Sequence, residues 1–407
     1  MKQKTRPSRV FCLAAVILYR KYGIIRSMQK IYLDNAATTQ PLARCNDVYT
    51  EYARDLWQNP SALYAGATHV LKKVEEAKKT LLRAFGAAGH KCVFTSCGSE
   101  SANMVILRGA RQKKNMNYVC GGAEHPCVEE SFKYLAEQGY PVAFLKPDKH
   151  GLVTPEQVGQ AVDENTALVS VMHVNNETGA KNDIEKIAAV VKAKNPQAMF
   201  HADGVQAYCK ERLTNTANID YYTVSAHKLH AHKGTGAVFY LGNTPLKPYI
   251  LGGGQEGGLR SGTQNTLGIF SFAAAVSYFM EEVDDRYMAH IKAVFLEACR
   301  AIGDTVLLTP EDQERSCGHI VNLSVLGVRG ETLLHTLEQR GICISTGSAC
   351  SSKKGKSRIA KALSLSEEEA EGAIRISFSP FTTEEDVRTA AAEIKKGAEL
   401  LRRFTRK

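Results

Sequence analysis

A lysine ends the β-type run Tyr221-Tyr222-Thr223-Val224-Ser225-Ala226-His227-Lys228, inside a turn rich in hydroxyl and imidazole groups. An amine so placed is suited to form a Schiff base with a carbonyl. Upstream, a second apolar run, Phe200-His201-Ala202-Asp203-Gly204-Val205-Gln206, ends on a carboxylate with an amide three residues later. Pyridoxal phosphate asks these groups of a protein: an anion for the ring nitrogen, an amine for the aldehyde and donors for the phosphate. Asp203 and Gln206 would serve the ring and its phenolic oxygen, Lys228 the aldehyde, Ser225 and His227 the phosphate. Each has a plainer reading alone, Asp203 as a helix N-cap and Lys228 as a solvated lysine after a strand.

Other segments add chemistry of the same kind. Thr95-Ser96-Cys97-Gly98-Ser99-Glu100-Ser101 is a glycine-containing turn from strand to helix, where Gly98, Ser99 and the helix dipole would face an anion. A plain N-cap is a compatible reading. His125 stands between Gly121-Gly122-Ala123-Glu124 and Pro126, at a helix entry. Cys350 lies in the small-residue loop Ser345-Thr346-Gly347-Ser348-Ala349-Cys350-Ser351-Ser352, which should leave its thiol exposed and mobile. Lys353, Lys354 and Lys356 follow and favour the thiolate; a passive loop cysteine is the alternative. Arg375, in Ala373-Ile374-Arg375-Ile376-Ser377, reads by itself as a snorkelling strand residue.

With these motifs in this order, the chain resembles the cysteine desulfurases of the NifS/IscS type, which are pyridoxal-phosphate-dependent members of the class V aminotransferase family. The resemblance covers Met28 to Lys407. It implies an α/β protein of the PLP-dependent transferase fold type I, with a large domain built on a mainly parallel seven-stranded sheet and a smaller α+β domain. It places His125 flat over the cofactor ring, Asn176 against both cofactor and substrate carboxylate, and Arg375 as the carboxylate clamp. Thr263, in Leu259-Arg260-Ser261-Gly262-Thr263-Gln264-Asn265, would reach the phosphate of a neighbouring subunit, hence a homodimer. The implied reaction turns L-cysteine into L-alanine and leaves sulfur as a persulfide on Cys350. A sulfur-acceptor protein would then receive it for iron–sulfur cluster assembly or for tRNA or cofactor thiolation. No metal is called for. A selenocysteine lyase, another class V aminotransferase and a catalytically silent scaffold are the alternatives; an aminotransferase of this fold has no need of Cys350, and a scaffold none of the lysine, aspartate and cysteine together. Departures from the family are Cys97 where glycine or alanine is usual, Ser99 for threonine, Gly204 for alanine, and Ala231-His232 for glycine-proline.

Length and composition suit this reading. A chain of 407 residues with 44% hydrophobic content buries a large core. We expect a large domain over 42–284, a small domain made of 28–41 with 285–407, and an extension over 1–27. The extension carries Lys2, Lys4, Arg6, Arg9, Arg20, Lys21 and Arg26 without an acid, so +7 of the net +10 falls there. The nearly balanced remainder lacks the electrostatic footprint of a nucleic-acid binder. Val10 to Tyr19 is too short to span a bilayer, and the extension reads as a misassigned start ahead of Met28 or as a targeting segment. Eleven cysteines without C-x-x-C spacing read as reduced thiols, hence a cytoplasmic protein.

From Met28 onward, β-type runs alternate with amphipathic helical segments. Strands are expected over 91–95, 117–120, 167–173, 198–202, 221–224, 237–241, 319–325 and 373–378. Helices are expected over 99–111, 127–138 behind Pro126, 266–283 and 331–340, with Thr382 and Glu385 as the capping box of a last helix.

Overall fold

A computed structural model describes residues 31–109, 115–284, 286–346 and 358–405. The extension over 1–27 and Cys350 lie outside the described residues.

After the two-residue strand β1 (Ile31–Tyr32), the chain builds a seven-stranded sheet from β2 (His90–Thr95), β3 (Asn117–Cys120), β4 (Val142–Phe144), β5 (Thr166–Ser170), β6 (Met199–Asp203), β7 (Tyr221–Ser225) and β8 (Gly236–Leu241). Their order is β2-β8-β7-β6-β5-β3-β4. Strand β8 is antiparallel to both its neighbours, and the other pairings are parallel. The carboxyl ends of six strands therefore emerge along one edge. All five residues of β5 and of β7 are buried, because helices cover both faces, which is why these strands read as continuous apolar runs rather than alternating ones.

The covering helices follow the same logic. Helix Ala65–Phe85 buries Val70, Val74, Ala77, Leu81 and Phe85 along one stripe and ends on Gly86 in the left-handed region at φ 69°. Helix Thr266–Glu282 packs against it and against helix Ala43–Asp55. Helix Pro155–Ala161 starts at a capping box of Thr154 and Gln157, with proline at its first turn.

A second unit holds β9 (Thr305–Leu307), β10 (Ile320–Val325), β11 (Ile342–Cys343) and β12 (Ala373–Ser377). Strands β12-β10-β9 form an antiparallel sheet, and β1 pairs in parallel with β11. Helices Tyr287–Cys299 and Glu384–Thr405 pack on each other and enclose a separate core with Leu33, Phe295, Val321, Ile374 and Ile376. Residues 31–35 thus belong by contact to this unit, and the chain crosses into the larger core at Leu42.

Most expected elements agree with the structure to within a few residues, the strand expected over 167–173 being the longest overreach. Strand β4 was not expected: it is a three-residue edge strand whose Ala143 and Phe144 are exposed. The last cap lies one residue later than expected. Thr383 receives the Asp386 amide at 3.1 Å, while the Asp386 carboxylate accepts from the Thr383 amide at 2.9 Å. Thr382 instead accepts from the Ser379 amide at 3.0 Å. Among the described residues no helix is long and apolar enough to cross a membrane.

Gly204, one of the departures, has a packing cause. A Cβ there would overlap the ring of Tyr222, which is buried against Phe85 and Phe239 and bonded through its hydroxyl to His173 at 3.0 Å. We predict that Gly204→Ala destabilises the protein by about 1–3 kcal/mol through overpacking. Combined with Tyr222→Leu, most of that penalty should disappear in a double-mutant cycle read by thermal unfolding; strict additivity would refute the account.

Candidate active site

The strand ends and a loop from the smaller unit enclose a cavity of about 280 Å³. It brings together Gly98, Ser99, His125, Asn176, Asp203, Gln206, Ser225, His227, Lys228 and Arg375. Of the expected site residues that are described, Thr263 alone lies outside this cavity, on an exposed loop.

Asp203 closes β6 and is only 5% exposed. Its carboxylate accepts from the Val205 amide at 2.9 Å. Burial pushes this carboxyl upward, opposed by His125 and Lys228. A cation facing Asp203 would remove that penalty. Gln206 donates to the Ala36 carbonyl at 2.9 Å and leaves a buried Oε1 without a partner.

Lys228 ends a short 3₁₀ turn behind β7. Its Nζ donates to the carbonyls of Ala36 and Ala37 at 2.6 Å each. Burial, together with the cations Arg375 and Lys210, brings the ammonium down to about 8. His227 bonds Thr38 Oγ1 through Nδ1 at 3.1 Å, and burial lowers it to about 4. His125 caps helix Pro126–Glu137: its Nδ1 accepts from the Cys127 amide at 3.3 Å and lies 3.0 Å from the Cys127 thiol. Burial lowers its pKa, so the ring is neutral near pH 7 and carries its proton on Nε2.

The phosphate-type turn is assembled by close approach. Thr95 and Ser225 both pair with Gly236 on β8, and a Cβ at Gly236 would come within 2.7 Å of the Cys97 carbonyl carbon. A Cβ at Gly98 would come within 2.8 Å of Val205. Glycines at both positions let the amino end of helix Gly98–Arg108 face the same space as Ser225, whose buried Oγ has no partner. Cys97 is extended at φ −171°, a conformation open to any residue, so a side chain at this departure does not strain the turn.

At the opposite pole, Arg375 in β12 is 5% exposed. It donates to the Asn176 carbonyl and to Asp34, both at 2.9 Å, and lies 3.8 Å from Glu177. Its buried Nε has no partner. Asn176 itself donates to Glu177 at 3.0 Å.

Several contributors were not expected from the sequence. The carbonyls of Ala36 and Ala37 and the carboxylate of Asp34 come from Asp34-Asn35-Ala36-Ala37-Thr38-Thr39, a polar, small-residue stretch behind β1 that was the available signal. Arg260 grips Glu100 at 2.9 Å, tying the loop that carries Thr263 to the first turn of helix Gly98–Arg108. Burial alone would raise the Glu100 carboxyl, but bonds from Arg260 and Ser96 outweigh it and hold it low.

The remaining departures sit behind the lysine. His230 adopts φ 57° and is held by Thr39 Oγ1 at 2.7 Å and by the Gln40 carbonyl at 2.8 Å. His232 bonds Ser271 at 2.8 Å and packs on Tyr49. A histidine pair thus fills the space behind the turn.

This donor set fits pyridoxal phosphate. Buried Asp203 makes no ion pair among the described residues and keeps a raised carboxyl, Ser225 and Gln206 have unpartnered polar atoms, and Gly98 keeps the turn open. Among the described residues, no three His, Cys, Asp or Glu side chains gather to hold a metal.

The family model "Aminotransferase class-V" matches residues 31–389. "Cysteine desulfurase IscS" of Clostridium botulinum is 33% identical over 366 residues, covering 88% of this chain and 92% of that protein. A solved "NifS-like protein" aligns at TM-score 0.83 with 31% identity, over 90% of this chain and 99% of its own. A structure described as SspA in complex with cysteine aligns at TM-score 0.74 with 30% identity, over 87% of this chain and all of its own.

The lowered Lys228 pKa makes a rate prediction. Only the free amine attacks an aldehyde, so its population rises as pH climbs through about 8. Capture of pyridoxal phosphate by the cofactor-free protein, followed by stopped-flow absorbance, should accelerate to about pH 8 and then level off; acceleration continuing towards pH 10 would contradict this environment.

Proposed function

The chain belongs to the class-V aminotransferase family, and from that premise we propose that it is a pyridoxal-phosphate-dependent cysteine desulfurase acting on L-cysteine. The observation that carries this reading is one cavity holding Asp203, a near-neutral Lys228 and a buried Arg375. Bound pyridoxal phosphate supplies an electron sink that acidifies the substrate Cα–H and weakens its Cβ–S bond.

The protein's own groups do the rest. Bound pyridoxal phosphate would be held by Asp203 at its ring nitrogen, by Gln206 at its phenolic oxygen, and by Ser225, His227, Ser99 and the Gly98 backbone at its phosphate. Arg375 and Asn176 hold the substrate carboxylate; a planar guanidinium binds it through two parallel bonds and fixes the amino acid's orientation. Lys228 moves the proton at Cα. His125, neutral with a proton on Nε2, serves the substrate sulfur. Sulfur then passes to Cys350: the Cβ–S bond breaks and an S–S bond forms, oxidising the Cys350 thiol to a persulfide while the substrate skeleton is reduced to alanine. Of the two thiol hydrogens, one remains on the persulfide and one ends on the alanine methyl.

Chain geometry supports Cys350 in this role. Ser345 is bonded to Arg375 through both backbone groups, at 3.0 and 2.6 Å. Arg358, past the cysteine, pairs with Glu129 on the helix that His125 caps. Cys350 follows Ser345 by five residues, a length of chain that spans at most roughly 18 Å.

A homodimer completes the reading. Thr263 is exposed on a loop anchored by Arg260, and large apolar side chains nearby in sequence or elsewhere, Leu251 at 81%, Trp57 at 69% and Leu63 at 98% exposure, await cover. The persulfide goes to a sulfur-acceptor protein for iron–sulfur cluster assembly or thiolation. The nine described cysteines are all unpaired, in keeping with a cytoplasmic enzyme.

Two variants test this. Lys228→Ala should abolish turnover and leave no lysine-linked adduct after borohydride. Cys350→Ser should keep the cofactor's colour yet lose alanine production by on the order of 10³-fold or more, as loss of a covalent nucleophile does. Peptide mass spectrometry after a single turnover should find the added sulfur on Cys350; persulfide on Cys343 or Cys97, with Cys350→Ser still active, would overturn the assignment.

A further inference from the structure

A second cavity, about 240 Å³, lies where the two units meet. The larger unit contributes Lys181, Lys210 and Glu211; the smaller contributes Lys292 and His319. Lys181 is matched by Glu211 at 3.1 Å. Lys292, 8% exposed, donates only to neutral acceptors, Ser316 Oγ and the Cys317 carbonyl, both at 2.9 Å. Lys210 has no carboxylate within ion-pair distance among the described residues, and burial brings it down to about 8. Two ammonium groups thus face one space with no carboxylate in ion-pair contact among the described residues; Glu211 acts on both from farther away, and the exposed Glu311 stands at the rim. His319 is 2% exposed, with neither ring nitrogen hydrogen-bonded by a described side chain or backbone group in good geometry. Burial, with Lys210 and Lys292 beside it, keeps its imidazole neutral; its one N–H has only a poorly aligned partner, the Gln206 backbone, and a better-placed acceptor in the cavity would compete for it. Met288, Ala289, Ala293 and Leu296 make the wall apolar.

We propose that this cavity binds a small doubly charged oxyanion of the phosphate type, held by Lys210, Lys292 and the N–H of His319. An oxyanion supplies the contacting negative charge that Lys210 and Lys292 lack, and a tetrahedral one accepts from donors converging from different elements. The volume exceeds that of a bare ion, and the apolar wall suits the carbon portion of a phosphate monoester. Lys210 follows Gln206 by one helical turn's worth of chain, and Ala207 shares a small core with Cys317 and Ile320. An occupant would therefore bridge the two units directly behind the residues that face the cofactor.

The test uses cofactor-saturated enzyme, in which the phosphate turn of the first cavity is already filled. Inorganic phosphate and glycerol 2-phosphate are titrated by calorimetry at constant ionic strength, with chloride as control. We expect one saturable site per chain and a melting temperature that rises with ligand by mass action. Lys210→Gln should weaken binding at least tenfold; it leaves Lys292 in place, so the test stands even where Lys292→Gln fails to fold. Tighter binding of the ester identifies an organic phosphate as the ligand, and tighter binding of the free ion identifies phosphate itself. Absence of saturable binding beyond chloride, or binding unchanged in Lys210→Gln, would overturn the proposal.

Discussion

A carboxylate buried without a matching cation is the constraint around which the large unit is arranged. Asp203 sits at the end of a fully enclosed parallel strand, where ionisation is opposed by loss of hydration. His125, whenever it is protonated, and Lys228, from two different strand ends, are the groups that oppose this loss. They can be there only because β8 alone reverses direction and leaves six carboxyl ends on one edge. Open α/β sheets bind ligands along that edge, and here it is also where a charge is waiting for a partner.

Much of this was legible in the sequence, for reasons that differ by element. Strands β6 and β7 were visible because burial on both faces demands continuous apolar runs, and the polar groups that end them could not belong to the runs. Lys228, Asp203 and Gly98 were visible because their chemistry is unusual where it stands, whereas Arg375 came from the family resemblance, since alone it reads as a snorkelling strand residue. Strand β4 was not, since three partly exposed edge residues carry no periodicity. The shift of the last cap from Thr382 to Thr383 reflects two adjacent threonines, each followed three residues later by an acid. Ala36 and Ala37 act through carbonyls, which leave no side-chain signature. Asp34 escaped because its partner lies in a distant strand.

The departures from family pattern show how local substitutions are absorbed. Gly204 is required by the Tyr222 ring, and Cys97 occupies an extended backbone that glycine is not needed to reach. His232 is accommodated by Ser271 and Tyr49. Cys97 and Ser99 do line the cavity, but Ser99 keeps the hydroxyl that threonine would bring, so the polar groups persist where packing differs.

The contacts between residues 34–36 and the strand at 373–377 also bear on how the protein comes into being. The Asp34–Arg375 pair and the Ala36–Ser377 bond each span 341 residues of chain. Contacts of such separation form late, because loop closure must be achieved before they contribute. During synthesis the large sheet can be complete when residue 241 has emerged, yet the pocket gains the Arg375 guanidinium only after residue 375 follows. A nascent chain therefore exposes Lys228 and its turn while the 147 residues up to Arg375 are still being added, without a finished site around them, and capture of a small aldehyde waits on that distant strand.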